Sequence, residues 1–291
     1  MTVFTAAVLQ MRSGTNPDTN AQTLETLVAE AVGRGAHYLQ TPEMTGMVQR
    51  DRAGLDARLA TEESDVIVRT ASALALRHRV FLHIGSVAVA VSGGMVANRA
   101  FLFGPDGERI ATYDKIHMFD VDLDSGESWR ESKTYQAGGA ATLADLSLPG
   151  GSVRLGFAVC YDMRFPQLFH AEALAGAEVL TAPAAFTRQT GEAHWHVLLR
   201  ARAIENGAYV IAAAQGGTHE DGRETYGHSL IVDPWGRIVG EVDGTEPGVA
   251  IAEIDTAAVG EARRKIPNLR NARDFLVSPV VAGRNASEAA E

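Results

Sequence analysis

The sequence predicts an α/β protein made of two stacked mixed sheets with helices on their outer faces. Strand-like and helix-like segments alternate throughout the 291 residues. Each half runs strand, helix, strand, helix and then a hairpin on a Pro/Gly turn, and no low-complexity linker divides the halves. That internal echo implies one domain over residues 1–281. The Gly-, Ser-, Ala- and Glu-rich residues 282–291 are expected to be poorly ordered.

Residues 4–9 form an apolar strand pattern, and Asn16-Pro17-Asp18 opens a helix that Gly33 and Gly35 stop. Residues 37–40 read as a short strand ending at Thr41-Pro42-Glu43. A helix over 62–77 and a strand over 80–91 follow. Residues 97–103 and 108–113 then pair across the turn Gly104-Pro105-Asp106-Gly107. After a long irregular stretch come a strand at 153–159, a helix at 167–175 and a strand at 178–181. A helix at 194–206 and a strand at 208–214 complete the alternation. The second hairpin joins 229–232 to 237–242 through Asp233-Pro234-Trp235-Gly236, and 249–254 is the last strand.

Composition narrows the function classes. Hydrophobic residues make up 46% and charged residues 21%, ordinary for a globular protein with a sizeable core. The net charge of −10 with scattered Lys and Arg argues against nucleic acid, which requires a basic face. The basic stretch Arg263-Arg264-Lys265 reads as a solvated helix end or a contact between subunits. No apolar run is long enough to span a bilayer, and the N-terminus lacks the basic start of a signal peptide, so the cytoplasm is the expected compartment. A lone cysteine cannot form an internal disulfide.

That cysteine, Cys160, ends the β-prone run Gly156-Phe157-Ala158-Val159 and precedes Tyr161-Asp162-Met163-Arg164-Phe165-Pro166. A thiol at the end of a strand, where the next helix opens, is placed as a nucleophile; a buried, inert cysteine is the alternative. None of the nine histidines has flanks that mark it as a base for the thiol. Glu43, after a strand and a proline, is the better base, with desolvation expected to raise its pKa toward neutrality. Lys115, at the end of a hairpin strand, is expected to lower the thiol pKa and to stabilise charge on an attacked carbonyl oxygen. Singly, each of these charges would read as a solvated surface group. Three at three strand ends make a site.

On these blocks, Thr41-Pro42-Glu43, Tyr113-Asp114-Lys115-Ile116-His117 and Ala158-Val159-Cys160-Tyr161-Asp162, the chain resembles the nitrilase (carbon–nitrogen hydrolase) superfamily over residues 3 to 276. The resemblance implies an αββα sandwich that dimerises through helices into a four-layer assembly, and a Glu-Lys-Cys triad acting without cofactor or metal. It also implies a role for a second glutamate, Glu131 in Trp129-Arg130-Glu131-Ser132-Lys133. Tyr161-Asp162 after the cysteine, where nitrilases typically have Trp-Glu, looks like the amidase branch. The segments Pro183-Ala184-Ala185-Phe186-Thr187, Tyr226-Gly227-His228-Ser229 and Asp233-Pro234-Trp235-Gly236 are similar to deaminated glutathione amidases. Omega-amidases acting on 2-oxoglutaramate share much of the pattern, and N-carbamoyl amino acid amidohydrolases are a further alternative.

A 2-oxo-acid substrate carries a carboxylate, and Arg164 can grip it in two places. The competing reading is a salt bridge from Arg164 to Glu172 or Asp162. Tyr161 would offer its backbone N–H to the oxyanion from a helix start, and Phe186 and Thr187 would line the pocket, Phe186 with ordinary core packing as its alternative. Other classes fit less well. Asp120 to Gly126, with Glu131 at the twelfth position, suggests a calcium loop, but Ser125 occupies the place of the required Gly. A thiol redox enzyme would need a second cysteine. A silent binding protein would not need the complete set of Glu, Lys and Cys.

Overall fold

A computed structural model describes residues 2–122 and 128–279 of the chain. Its two main sheets repeat one plan. In the first, strands Val3–Gln10, Tyr38–Gln40 and Phe81–Ala90 are parallel neighbours. In the second, Gly151–Gly156, Val179–Thr181 and Tyr209–Ala212 are parallel in the same way. Each parallel trio is flanked on one side by an antiparallel strand (Gly248–Asp255 on Val3–Gln10, Leu143–Leu148 on Gly151–Gly156). On the other side each continues into an antiparallel hairpin, Val96–Phe103 with Arg109–Asp114 and Leu230–Val232 with Ile238–Glu241. The echo between the halves is thus an echo of topology.

Parallel neighbours need crossover helices, which cover one face of each sheet. Helix Pro17–Gly33 starts with Asn16 Oδ1 accepting from Asp18 N and Pro17 in its first turn. Helix Val66–His78 is capped by Asp65 rather than beginning at residue 62. Leu24, Val28, Ile67, Ala71 and Leu74 of these two helices pack on Leu9, Leu39, Leu82 and Phe101. Helices Pro166–Leu174 and Arg188–Asn206 cover the second sheet with Phe169, Trp195, Leu199 and Ala203. Between the sheets, Phe4, Val8, Tyr38 and Leu102 meet Leu146, Leu155, Val179 and Ile211. The layers are α, β, β, α. Where the sheets meet at Gly85, a Cβ would lie 2.2 Å from Thr41 O and 2.5 Å from Pro183 Cβ, so only glycine fits.

Other elements also depart from the sequence reading. Strand Leu143–Leu148 lies in the stretch read as irregular, although its burial alternates as a half-buried strand should. Helix Arg188–Asn206 begins six residues before 194. Gly191 does not end it; the residue clears Tyr226, whose Cβ would lie 2.2 Å from an added methyl. Finally, Cys160 opens a 3₁₀ turn, Cys160–Arg164, and the α-helix starts only at Pro166. Tyr161 therefore gains little from a helix dipole. Residues 282–291 and most of the suspected calcium loop, 123–127, lie outside the described residues.

Candidate active site

The C-terminal ends of parallel strands gather functional groups on one rim of a sheet. Here both sheets deliver to the same rim. Glu43 follows Tyr38–Gln40, Cys160 follows Gly151–Gly156, and Lys115 follows Arg109–Asp114. Lys115 Nζ donates to Glu43 Oε1 at 2.9 Å and to Glu131 Oε1 and Oε2 at 3.0 and 2.9 Å. The Cys160 thiol lies in the same cavity as the Glu43 carboxylate, and the two groups shift each other's titration. Glu43, Lys115 and Cys160 are buried, and all three line one cavity of about 570 Å³ together with Glu131. The four side chains converge.

Backbone strain marks the place. Among the described residues, four non-glycine residues have φ between 52° and 55°: Met44, Arg79, Cys160 and His228. Arg79 caps a helix, whereas Met44 and Cys160 adjoin the triad. Such conformations cost about 1–3 kcal/mol each and need support from their surroundings. For Cys160 the support is Cys160 N donating to Pro183 O at 2.9 Å, together with Asp162. Buried Asp162 accepts from Val159 N at 2.9 Å and Tyr113 Oη at 2.6 Å, and from His117 N at 2.9 Å. It ties the segment carrying Lys115 to the segment carrying the thiol.

The electrostatics correct two expectations. Burial does push the Glu43 carboxyl up, but Lys115 and hydrogen bonds from Cys160 and Asn98 outweigh it, so its pKa is lowered. Burial, followed by the Glu43 charge, drives the Cys160 thiol well above its ordinary value, and the opposing pull of Lys115 is smaller. Lys115 loses by burial yet is held well above its ordinary value by Glu131 and Glu43. The resting site is therefore a thiol, a carboxylate and an ammonium. A thiol held protonated can act as a nucleophile only with a base beside it, and Glu43 lines the same cavity.

The sequence points to neither Asn98 nor Ala185, and to Asp162 only as a suspected partner of Arg164. Asn98 Nδ2 donates to Glu43 Oε1 at 2.9 Å and to Glu131 Oε1 at 3.1 Å, and Ala185 N donates to Glu43 Oε2 at 2.9 Å. A buried Asn within the apolar strand Val96–Phe103 is a readable signal; an alanine backbone amide gives none. Arg164 makes no salt bridge with Glu172 or Asp162. Its guanidinium lies 5.4 Å from the Phe186 ring and 6.0 Å from Tyr161, with Nη2 3.3 Å from His194 Nδ1, on the cavity wall. Phe186 and Thr187 line the same cavity, and Phe186 also packs on Trp195 with ring centroids 5.1 Å apart. Glu131 binds Lys115 rather than taking the place of a calcium ligand, and Asp120–Asp122 pairs antiparallel with Ser128–Arg130.

Residues 5–264 match the carbon-nitrogen hydrolase family model. This chain is a carbon–nitrogen hydrolase. It is 40% identical over 273 residues to the deaminated glutathione amidase of Synechocystis sp., covering 93% of this chain and 98% of the relative. The fold matches the C. elegans NitFhit protein with a TM-score of 0.84 and 32% identity over 93% of this chain, which spans 65% of that longer protein. Saccharomyces cerevisiae Nit3, a member of the nitrilase superfamily, gives a TM-score of 0.80 at 27% identity, covering 91% of this chain and 94% of Nit3. The hydrolase is an amidase, acting on C–N bonds other than peptide bonds. Among its described residues no helix is long and apolar enough to cross a membrane.

Proposed function

We propose that the enzyme hydrolyses the amide of a small 2-oxo acid, with deaminated glutathione as its substrate, through a thioester on Cys160. The observation that carries this reading is the Cys160 thiol sharing one cavity with the Glu43–Lys115 pair, on a wall that also holds the Arg164 cation. Glu43 accepts the thiol proton while Sγ bonds to the carbonyl carbon. Lys115 and the Tyr161 backbone N–H stabilise the oxyanion. The C–N bond then breaks, Glu43 returns its proton to the departing nitrogen, and the thioester remains. Water loses a proton to Glu43 and attacks the thioester; the acid leaves and the thiol is restored. Glu131 holds Lys115 in line.

Arg164 is assigned to the 2-oxo carboxylate, as a planar fork suited to paired oxygens. A cavity of about 570 Å³ falls in the range of about 300–1,000 Å³ that suits drug-sized ligands. That room favours a tripeptide-sized amide over 2-oxoglutaramate. The enzyme is further assigned to the cytoplasm and to a homodimer. Leu174, Val197 and Ile204, exposed on the two helices outside the second sheet, support self-association there.

The test is a side-by-side comparison of kcat/KM on deaminated glutathione, 2-oxoglutaramate, an N-carbamoyl amino acid and a simple nitrile. Release of cysteinylglycine from deaminated glutathione should be fastest. A higher value for 2-oxoglutaramate would transfer the assignment to omega-amidase.

A further inference from the structure

The fourth strained residue, His228, has no part in the triad. Its φ of 55° aims the imidazole at Glu241, at the end of strand Ile238–Glu241, with Nδ1 3.1 Å from Oε1. His196, on helix Arg188–Asn206, reaches the same oxygen with Nε2 at 2.9 Å. These three ligand atoms all lie within 4.8 Å of one another, and the side chains are only 20–30% exposed.

We infer that His196, His228 and Glu241 form a binding site for a divalent transition-metal ion, zinc being the natural occupant. Two imidazoles and one carboxylate are the donor set of three-ligand zinc sites that leave a fourth position open. Calcium and magnesium want oxygen donors throughout, so this set selects against them. Tetrahedral bonds of about 2.0–2.2 Å put donor atoms about 3.3 Å apart, so the two nitrogen–oxygen separations of 2.9 and 3.1 Å need open by only a few tenths of an ångström to admit the ion. Both rings bind as neutral imidazoles, with the proton on Nδ1 of His196 and on Nε2 of His228.

The site is built in advance. His228 N donates to Gly244 O at 3.0 Å, and Trp195 Nε1 donates to His228 O at 2.8 Å. The second bond links the backbone of one ligand to the residue preceding the other. Tyr226 stacks on the His228 ring with centroids 4.5 Å apart, which fixes its plane. Of the three ligands His228 alone borders a surface hollow of about 310 Å³, which Tyr226, Glu192 and Arg188 also line. A simple carboxylate bridge between two histidines would not need the left-handed backbone at His228.

The test uses the full chain carrying Cys160→Ala, which removes the thiol as a competing zinc ligand. Calorimetric titration with Zn²⁺ should show one ion per chain. Loss of a direct ligand in His196→Ala, His228→Asn or Glu241→Gln should weaken binding by at least the roughly 10–100-fold that loss of an outer-shell partner costs. Asn is chosen at 228 because it tolerates positive φ. Glu192→Gln should leave the titration unchanged. X-ray absorption at the zinc edge of the Cys160→Ala protein should report two imidazoles with nitrogen and oxygen donors only, a readout that holds even if a ligand variant misfolds. Absence of saturable binding, undiminished binding in the His196 and Glu241 variants, or fewer than two imidazoles at the zinc would each overturn the inference.

Discussion

Lys115 Nζ lies 2.9 Å from Glu43 Oε1, and both side chains are almost wholly removed from water. A buried ammonium is sustained only by matched negative charge, and Glu131 supplies the second carboxylate. With the ammonium fixed between two acids, the Glu43 carboxyl stays ionised and ready to take the thiol proton. The same contact explains why a base lodged deep in the protein does not drift to a raised pKa.

Cys160→Ala should lower kcat by several orders of magnitude, on the order of the 10⁴- to 10⁶-fold seen when a catalytic nucleophile is removed. The far-UV circular dichroism should not change. Cys160→Ser should behave similarly, and turnover near wild type in either variant would remove the thioester from the mechanism.

The pH dependence follows from the two shifts. Glu43 titrates below its ordinary 4.5 in the folded protein, so its charged form contributes stability above pH 4.5 that is lost as pH falls through the folded value. Lys115 titrates above 10.5, so its contribution is complete below pH 10.5 and is lost as pH rises through the folded value. Activity should therefore keep an acidic limb below pH 4.5. Glu43→Gln should abolish that limb and cost about 10²- to 10⁴-fold in kcat, as loss of a general base does. A limb that persists in Glu43→Gln would assign the base elsewhere.

Asn98→Leu tests a positioning residue. Its amide nitrogen restrains both carboxylates, and the substitution leaves Glu43 Oε1 and Glu131 Oε1 each one donor short. The expected result is a lower kcat with little change in KM and a stability loss of about 1–3 kcal/mol. A change confined to KM would contradict it.

Arg164→Met should raise KM for 2-oxo-acid amides about tenfold to a hundredfold, the value of a charge-assisted hydrogen bond of about 1.5–3 kcal/mol. Neutral amides should be hydrolysed unchanged. Equal losses on both substrate types would make Arg164 structural.

Glu172 is buried, and burial, opposed by the Phe157 backbone amide and aided by the Asp162 charge, holds its pKa well above 4.5. An acid with a raised folded-state pKa loses stability as pH rises from 4.5 toward the folded value. Glu172→Gln stays neutral, so its melting temperature should exceed wild type at pH 7 and match it more closely at pH 4. The reverse order would show that Glu172 is ionised in the fold.

Much of this was legible in the chain. Periodicity and turn residues placed most strands and helices, because local hydrophobic patterning and capping act within a few residues. Strand Leu143–Leu148 was missed because its LADLSL alternation is short and lies among glycines. The identities of Glu43, Lys115 and Cys160 could be read from their flanks, whereas Glu131 rests on the family resemblance.

Tertiary structure alone decided the direction of each pKa, since burial and the partner's charge compete and only distance settles the winner. It alone placed Asn98 and the Ala185 amide on Glu43, and freed Arg164 from the acids suspected of binding it. His196, His228 and Glu241 come from a helix, a loop and a strand end, so no spacing announces them. The sequence determined which groups the amidase possesses and which segments carry them. Packing of two sheets against each other decided which groups touch, because proximity between residues more than a hundred positions apart is a property of the folded layers and not of neighbours in the chain.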